Sequence, residues 1–181
     1  MKSKQSNNGD AMYEEMMGTK PVSERQRFDV DALGAWLAAN VDGYPGGALA
    51  VEQFKGGQSN PTFRLGAGGQ RYVLRTKPGP AAKLLPSAHA IDREFRVMQA
   101  LHGAGFPVPR QYALCLDEAV IGRAFYVMEC VEGRVLWDQS LPGMSPGERA
   151  AIYDEQNRVI AQLHTVDYAA IGLGDYGKPG N

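Results

Sequence analysis

Two predicted strands in the first half of the chain are joined by a glycine-rich bend, within residues 54–63, and a third strand follows at residues 71–75. The bend contains Gly56, Gly57, Ser59 and Asn60, and the third strand ends at Arg75. Glycine lets backbone N–H groups approach an oxyanion closely, and a nearby guanidinium neutralises its charge. The pattern favours a site for a phosphate-bearing ligand, although the same residues are also ordinary material for a hairpin turn.

Composition limits the possible partners. The 181 residues include 44% hydrophobic residues, which is enough for one domain or two small lobes with a core. Nineteen basic and twenty acidic residues give a net charge of −1, so neither nucleic acid nor a membrane surface is indicated as a partner. Cys115 and Cys130 lack the spacing of a metal site, and no signal peptide or membrane span is evident. We therefore expect a cytoplasmic protein.

Hydrophobic periodicity predicts an alternation of strands and helices. Residues 1–27 show no durable period and are predicted to be a flexible arm, after which Asp29 or Asp31 caps a helix. Three strands lie between residues 48 and 75, a helix covers 90–102, and two strands cover about 111–117 and 123–130. A capping box at Ser145 and Glu148 opens a long helix, and Trp137 lies in the linker before it. Trp137 either shapes a ligand cleft or packs against the following helices.

Arg75 and Glu94 are candidates for an ion pair between a strand end and a helix. Such a pair would hold the guanidinium where its planar fork can meet a phosphate. The alternative is a surface arginine and a solvated glutamate, which contribute little to stability. The two residues alone do not decide between these interpretations.

The order of these features resembles the aminoglycoside phosphotransferase and choline kinase superfamily of small-molecule kinases, especially the branch related to domains found beside acyl-CoA dehydrogenases. The similarity extends over about residues 28–181. It implies an α+β fold: a protein-kinase-like ATP-binding lobe over 28–132, with a five-stranded antiparallel sheet and a packed helix, and a linker with the first helices of a larger lobe over 133–181. The segments that carry it are residues 56–63, 72–75, 93–95, 108–109, 125–129 and 163–167.

The resemblance also implies roles for individual residues. Gly57, Ser59 and Asn60, beside Gly56, would lie over the phosphates of ATP. Arg75 stands where many kinases have a phosphate-binding lysine, which is a departure from the commoner residue.

Glu94 matches the helix partner of that cation. Met128, Glu129 and Val131 match the segment between the two lobes, where the backbones of Glu129 and Val131 would bind adenine.

A catalytic loop of this superfamily needs an Asp, an Asn five residues later and a further Asp for Mg²⁺. None of the ten aspartates has that Asn, and Asp167, near His164, is followed at this spacing by Gly172. No catalytic or metal-binding residue is therefore assigned. We expect the ATP-binding portion of an enzyme that transfers the γ-phosphoryl group to a hydroxyl of a small molecule, inactive as this chain alone.

Two alternatives remain open. One is a non-catalytic nucleotide-binding or protein-interaction module, in which an exposed lobe face leads to homo-oligomers. The other is a plain α+β domain in which the glycine bend is only a hairpin.

Overall fold

The computed structural model describes residues 17–56, 60–79 and 90–177. Its centre is a six-stranded antiparallel sheet with the order β1-β2-β3-β4-β6-β5. The predicted α+β class is confirmed. The strands are β1 (Thr19–Lys20), β2 (Ala50–Phe54), β3 (Thr62–Ala67), β4 (Gln70–Thr76), β5 (Gln111–Cys115) and β6 (Phe125–Glu129).

Helix α1 (Val30–Asn40) covers one face of the sheet. Of the two predicted caps, Asp29 is the one used, because its Oδ1 accepts a hydrogen bond of 2.9 Å from the backbone N–H of Ala32. Leu33 and Leu37 are fully buried on one side of the helix, in the larger hydrophobic core with residues of β3, β4 and β6. Helix α1 thereby buries the apolar face of the sheet that does not hold the candidate site.

Helix α2 (Ile91–Gly103) packs on the opposite face. Successive side chains of a strand point to opposite faces, and β6 shows this directly. Phe125 belongs to the α1 core, whereas Tyr126 belongs to a second core with Ile91 and Phe95 of α2. Since Arg75 pairs with Tyr126 in the sheet register, Arg75 lies on the α2 face.

The sheet has one strand more than predicted. The five strands expected from the sequence are present, and β1 adds a sixth at the edge, where Thr19 pairs with Phe54 and Lys20 with Gln53. A two-residue strand has no alternating apolar pattern, so nothing in its sequence distinguishes it from the predicted arm. Residues 17–27, in the described part of that arm, also include a short 3-10 helix at Glu24–Gln26.

Helix α3 (Pro146–His164) begins with the predicted capping box, in which Ser145 and Glu148 each bond the other's backbone N–H. None of its residues is buried. The segment after it reaches α2, where Arg96 binds Asp175 and donates to the Gly172 carbonyl at 2.8 Å. Among the described helices, none has the length and hydropathy needed to span a membrane.

Candidate functional site

The predicted ion pair between Arg75 and Glu94 is present. Nε of Arg75 donates to Oε2 of Glu94 at 2.7 Å, and Nη2 lies 3.5 Å from Oε1. Arg75 stands near the end of β4, and Glu94 is in the first turn of α2, so the pair joins the sheet to the helix. Their side chains keep 29% and 36% of their exposure, so the pair is partly open to solvent and does not lie in the core.

Three further polar side chains complete this cluster. Asn60 Nδ2 donates to Glu94 Oε1 at 2.9 Å, and the Tyr126 hydroxyl donates to Glu94 Oε2 at 3.1 Å. Nη1 of Arg75 donates to the Thr62 hydroxyl at 3.4 Å, and that hydroxyl donates to the Asn60 carbonyl at 3.1 Å. Both carboxylate oxygens of Glu94 therefore accept two hydrogen bonds each. We call Asn60, Thr62, Arg75, Glu94 and Tyr126 the Glu94 cluster.

The hydroxyl of Tyr126 has a raised pKa. Burial, and after it the negative charge of Glu94, raise the pKa of its hydroxyl above the ordinary value of 10.0. The phenol is consequently a hydrogen-bond donor to Glu94 throughout the neutral range. Tyr126 bonds Oε2 of Glu94, whereas Asn60 bonds Oε1. Each carboxylate oxygen is therefore held by one neutral side chain in addition to Arg75.

A cavity of about 410 Å³ adjoins the cluster at Thr62. Most of its lining is apolar, which suits a flat heterocycle better than a charged group. The walls come from β2 to β4, from β6 with the linker after it, and from the N-terminal segment. The lining residues are Met17, Gly18, Phe54, Gly56, Thr62, Val73, Pro109, Met128, Glu129, Val131, Val135 and Trp137.

Most of the predicted site residues meet around this cavity. Gly56, Met128, Glu129 and Val131 line it, and Arg75 and Glu94 adjoin it through the hydrogen bond from Arg75 to Thr62. The N–H of Glu129 already bonds the Arg110 carbonyl at 2.8 Å, so a bond from Glu129 to a base has to use its carbonyl oxygen.

Asn60, which the resemblance places over the phosphates, is part of the Glu94 cluster. Its side chain is only 2% exposed and bonds Glu94, so it braces the cluster from within. Gly57 and Ser59 lie outside the described residues.

Sequence reasoning missed Thr62, Tyr126 and Met17. Thr62 and Tyr126 are the register partners of Arg75 on its two neighbouring strands. That signal becomes available only once strand order is known, since Tyr126 is 51 residues after Arg75 in the chain. Trp137, predicted as a candidate for shaping the cleft, does line the cavity.

Metal ligands are not concentrated in this site. Across residues 17–56, 60–79 and 90–177, no three or more His, Cys, Asp or Glu side chains are grouped so that they could hold a metal ion. The donor set of the Glu94 cluster is one carboxylate already bonded to a guanidinium, which does not fit a Mg²⁺ site.

Comparison with known proteins places these features in context. The model of the family described as "Phosphotransferase enzyme family" matches residues 50–181. The chain is 49% identical over 165 residues to acyl-CoA dehydrogenase family member 11 of Gallus gallus, covering 89% of this chain and 21% of that protein. Family member 10 of Mus musculus is 44% identical over 163 residues, covering 90% and 15%. The chain thus spans about a fifth of the length of such curated relatives.

A solved structure is also similar. The crystal structure of a candidate aminoglycoside phosphotransferase from Ralstonia eutropha superposes with a TM-score of 0.74 at 66% sequence identity. The match covers 86% of this chain and 44% of that one. The kinase-like N-terminal lobe predicted from the sequence agrees with this similarity.

Proposed function

Since the chain belongs to the phosphotransferase enzyme family, we propose that it forms the nucleotide-binding part of a kinase that transfers the γ-phosphoryl group of ATP to a hydroxyl of a small molecule. The observation that carries the proposal is that the Glu94 cluster adjoins an apolar cavity through Thr62. A cavity of this kind accepts the base, and the cation beside it meets the phosphates.

Arg75 supplies the charge in this proposal. Among the described residues, Glu94 and Thr62 use three of the five N–H groups of its guanidinium. The two that remain are suited to bidentate contact with phosphate oxygens. Glu94, held by Asn60 and Tyr126, fixes the position of the Arg75 guanidinium before the ligand arrives. Ligand binding therefore loses little conformational entropy from ordering the Arg75 side chain.

The adenine base would occupy the apolar part of the cavity, between Val73 of the sheet and the linker that follows β6. The Glu129 carbonyl and the Val131 backbone would bind its polar edge, as the resemblance implies. Met128 would contact the ring by its side chain, and Gly56 would allow a close approach of the bend to the phosphates.

Bound ATP would supply the phosphoryl group, with Mg²⁺ carried on its phosphates. The described residues offer no ligand set for that ion, and they offer no Asp-x-x-x-x-Asn pair to position an acceptor hydroxyl. Since positioning and charge stabilisation provide most of the catalysis in phosphoryl transfer, the role proposed for this chain is binding.

Calorimetric titration of the 181-residue chain with ATP and Mg²⁺ tests the proposal. Arg75→Ala is expected to weaken ATP binding by about 10- to 100-fold, because a hydrogen bond between charged groups contributes roughly 1.5–3 kcal/mol. Adenosine, which has no phosphate, should bind both proteins equally.

Arg71→Ala is the matched control, since Arg71 lies on the same strand and forms an exposed ion pair with Glu132. Its ATP affinity should equal that of the parent chain. No heat of ATP binding in the parent, or equal affinity in Arg75→Ala, would contradict the proposed function.

A second function, as a protein-interaction module, is favoured by the surface of α3. Tyr153, Ile160 and Leu163 are 43–45% exposed on a helix with no buried residue. Large apolar side chains in such numbers on one helix are typical of a contact surface. We propose that this face carries the homo-oligomerisation expected from the sequence.

A further inference from the structure

The edge of the sheet next to the glycine-rich bend is formed by residues 17–20, which we call the N-terminal strap. We propose that this strap contributes to nucleotide binding. It bonds the start of the bend, and it forms one wall of the cavity. This inference rests on the proposed function, and it adds binding and positioning residues that the five-stranded lobe does not contain.

The first observation is that the backbone bonding of the strap continues into the bend. Within the sheet, Thr19 and Lys20 pair with Phe54 and Gln53 at the end of β2. One residue further, the Gly18 carbonyl accepts a hydrogen bond of 3.1 Å from the N–H of Lys55, which is already in the bend. The strap therefore fixes the direction in which the chain leaves β2 and enters the glycine-rich turn.

The second observation is a side-chain link to both strands that flank the bend. The Thr19 hydroxyl donates to Oε1 of Glu52 on β2 at 3.0 Å and accepts from Nη2 of Arg64 on β3 at 3.2 Å. Glu52 and Arg64 are themselves ion-paired and are register partners. One hydroxyl thus ties the strap to the strand that enters the bend and to the strand that leaves it.

The third observation is that the strap lines the cavity itself. Met17 and Gly18 contribute to its wall together with Val131 and Trp137 of the linker. Met17 is 40% exposed, so its flexible thioether side chain has apolar surface left to bury on a ligand. Gly18 has φ +77°, a conformation that lets the chain turn into the strap beside the cavity.

The two contributions have different consequences for binding. A bend held in place needs less ordering when phosphates arrive, so the Gly18 and Thr19 bonds should favour phosphate-bearing ligands. The Met17 side chain lies on the apolar cavity, so it should affect the base whether or not phosphates are present. Met17 is therefore a binding residue, and Gly18 and Thr19 are positioning residues.

The test compares two truncations of the chain by titration with Mg²⁺-ATP and with adenosine. The first lacks residues 1–16 and keeps the strap, and the second lacks residues 1–20 and begins at Pro21. The second should bind ATP about tenfold more weakly than the first, with a smaller loss for adenosine. Circular dichroism and urea midpoints of both proteins show whether the fold persists.

Two point variants of the full chain separate the contributions and decide the outcome if the longer truncation fails to fold. Thr19→Val keeps the shape and removes the hydroxyl, so ATP should bind about threefold more weakly and adenosine as before. Met17→Ala should weaken ATP and adenosine by the same factor, about threefold. A purely structural role would lower the urea midpoint without separating ATP from adenosine in this way.

The outcomes distinguish this inference from the proposed function. If the protein without residues 1–16 and the full chain both bind no ATP, the proposed function fails and the strap inference fails with it. If they bind ATP and the strap variants bind ATP and adenosine with unchanged affinity, the proposed function stands and the strap inference is overturned.

Discussion

Replacing Glu94 by Gln perturbs the candidate site at the residue on which its hydrogen bonds converge. The substitution keeps the shape of the side chain, removes its charge and turns one acceptor oxygen into an NH₂ donor. At the Oε1 position this group would face the donors of Asn60 and Arg75, and at the Oε2 position it would face Nε of Arg75 and the Tyr126 hydroxyl. The tyrosine can turn to accept and the asparagine can flip its amide, but the guanidinium of Arg75 has no acceptor, so one of its N–H groups faces the new donor in either orientation.

The magnitude follows from the number and exposure of these bonds. Hydrogen bonds to a charged group contribute roughly 1.5–3 kcal/mol each when they are shielded from water. The side chains of Arg75 and Glu94 retain 29% and 36% of their exposure, so solvent screening reduces the sum considerably. We expect a loss of about 2 kcal/mol in the free energy of unfolding, which for a chain of this size lowers Tm by about 4–8 °C.

The substitution should also weaken ATP binding, because Arg75 loses the carboxylate that orients its guanidinium. We expect the Kd for ATP to rise about tenfold, with an unchanged Kd for adenosine. Urea unfolding measures the first effect, and the fluorescence of Trp137, which lines the cavity, reports the second.

Glu155→Gln, which breaks an exposed ion pair with Arg158 on α3, is the matched control and should change neither quantity. If Glu94→Gln behaves like this control in both assays, the Glu94 cluster neither stabilises the fold nor prepares the site, and the reasoning is refuted.

Two further predictions concern pH and association. The raised pKa of Tyr126 means that this phenol ionises in the unfolded chain before it ionises in the folded one, so its contribution to stability is complete below pH 10 and is lost as pH rises above about 10. Urea unfolding between about pH 9 and pH 11 should show a shallower decline for Tyr126→Phe than for the parent, and parallel declines would exclude this origin. For the α3 face, sedimentation should show association that increases with concentration and is weakened in Ile160→Glu, whereas a parent chain that stays monomeric at every concentration would contradict it.

The parts of the fold with strong local signals could be predicted from the sequence. The caps of α1 and α3 depend on residues three positions apart, and the apolar face of α2 repeats at helical spacing, so neighbouring residues suffice. The opposite holds for β1. Its two residues are a strand only because Phe54 and Gln53 offer an unpaired edge, and no local pattern contains that information.

The candidate site was predictable to the extent that its residues carry a chemical signature. Arg75 near the end of a strand and Glu94 on the next helix are recognisable as a possible pair, and the structure joins them. Thr62 and Tyr126 were not predictable in the same way, because a threonine and a tyrosine in strands normally serve packing. Their place beside Arg75 follows from strand order, which the chain decides over long sequence distances.

The geometry of α2 connects the Glu94 cluster to the end of the described chain. Glu94 faces the sheet, while Arg93 and Arg96, within one turn of it, bond the segment at 172–176. Arg93 donates to the Tyr176 carbonyl at 2.9 Å and stacks on its ring at 4.0 Å. Neighbouring residues of one helix turn therefore contact the Glu94 cluster on one side and residues 172–176 on the other. Helix α2 thus joins the sheet at Arg75 to the segment that follows α3.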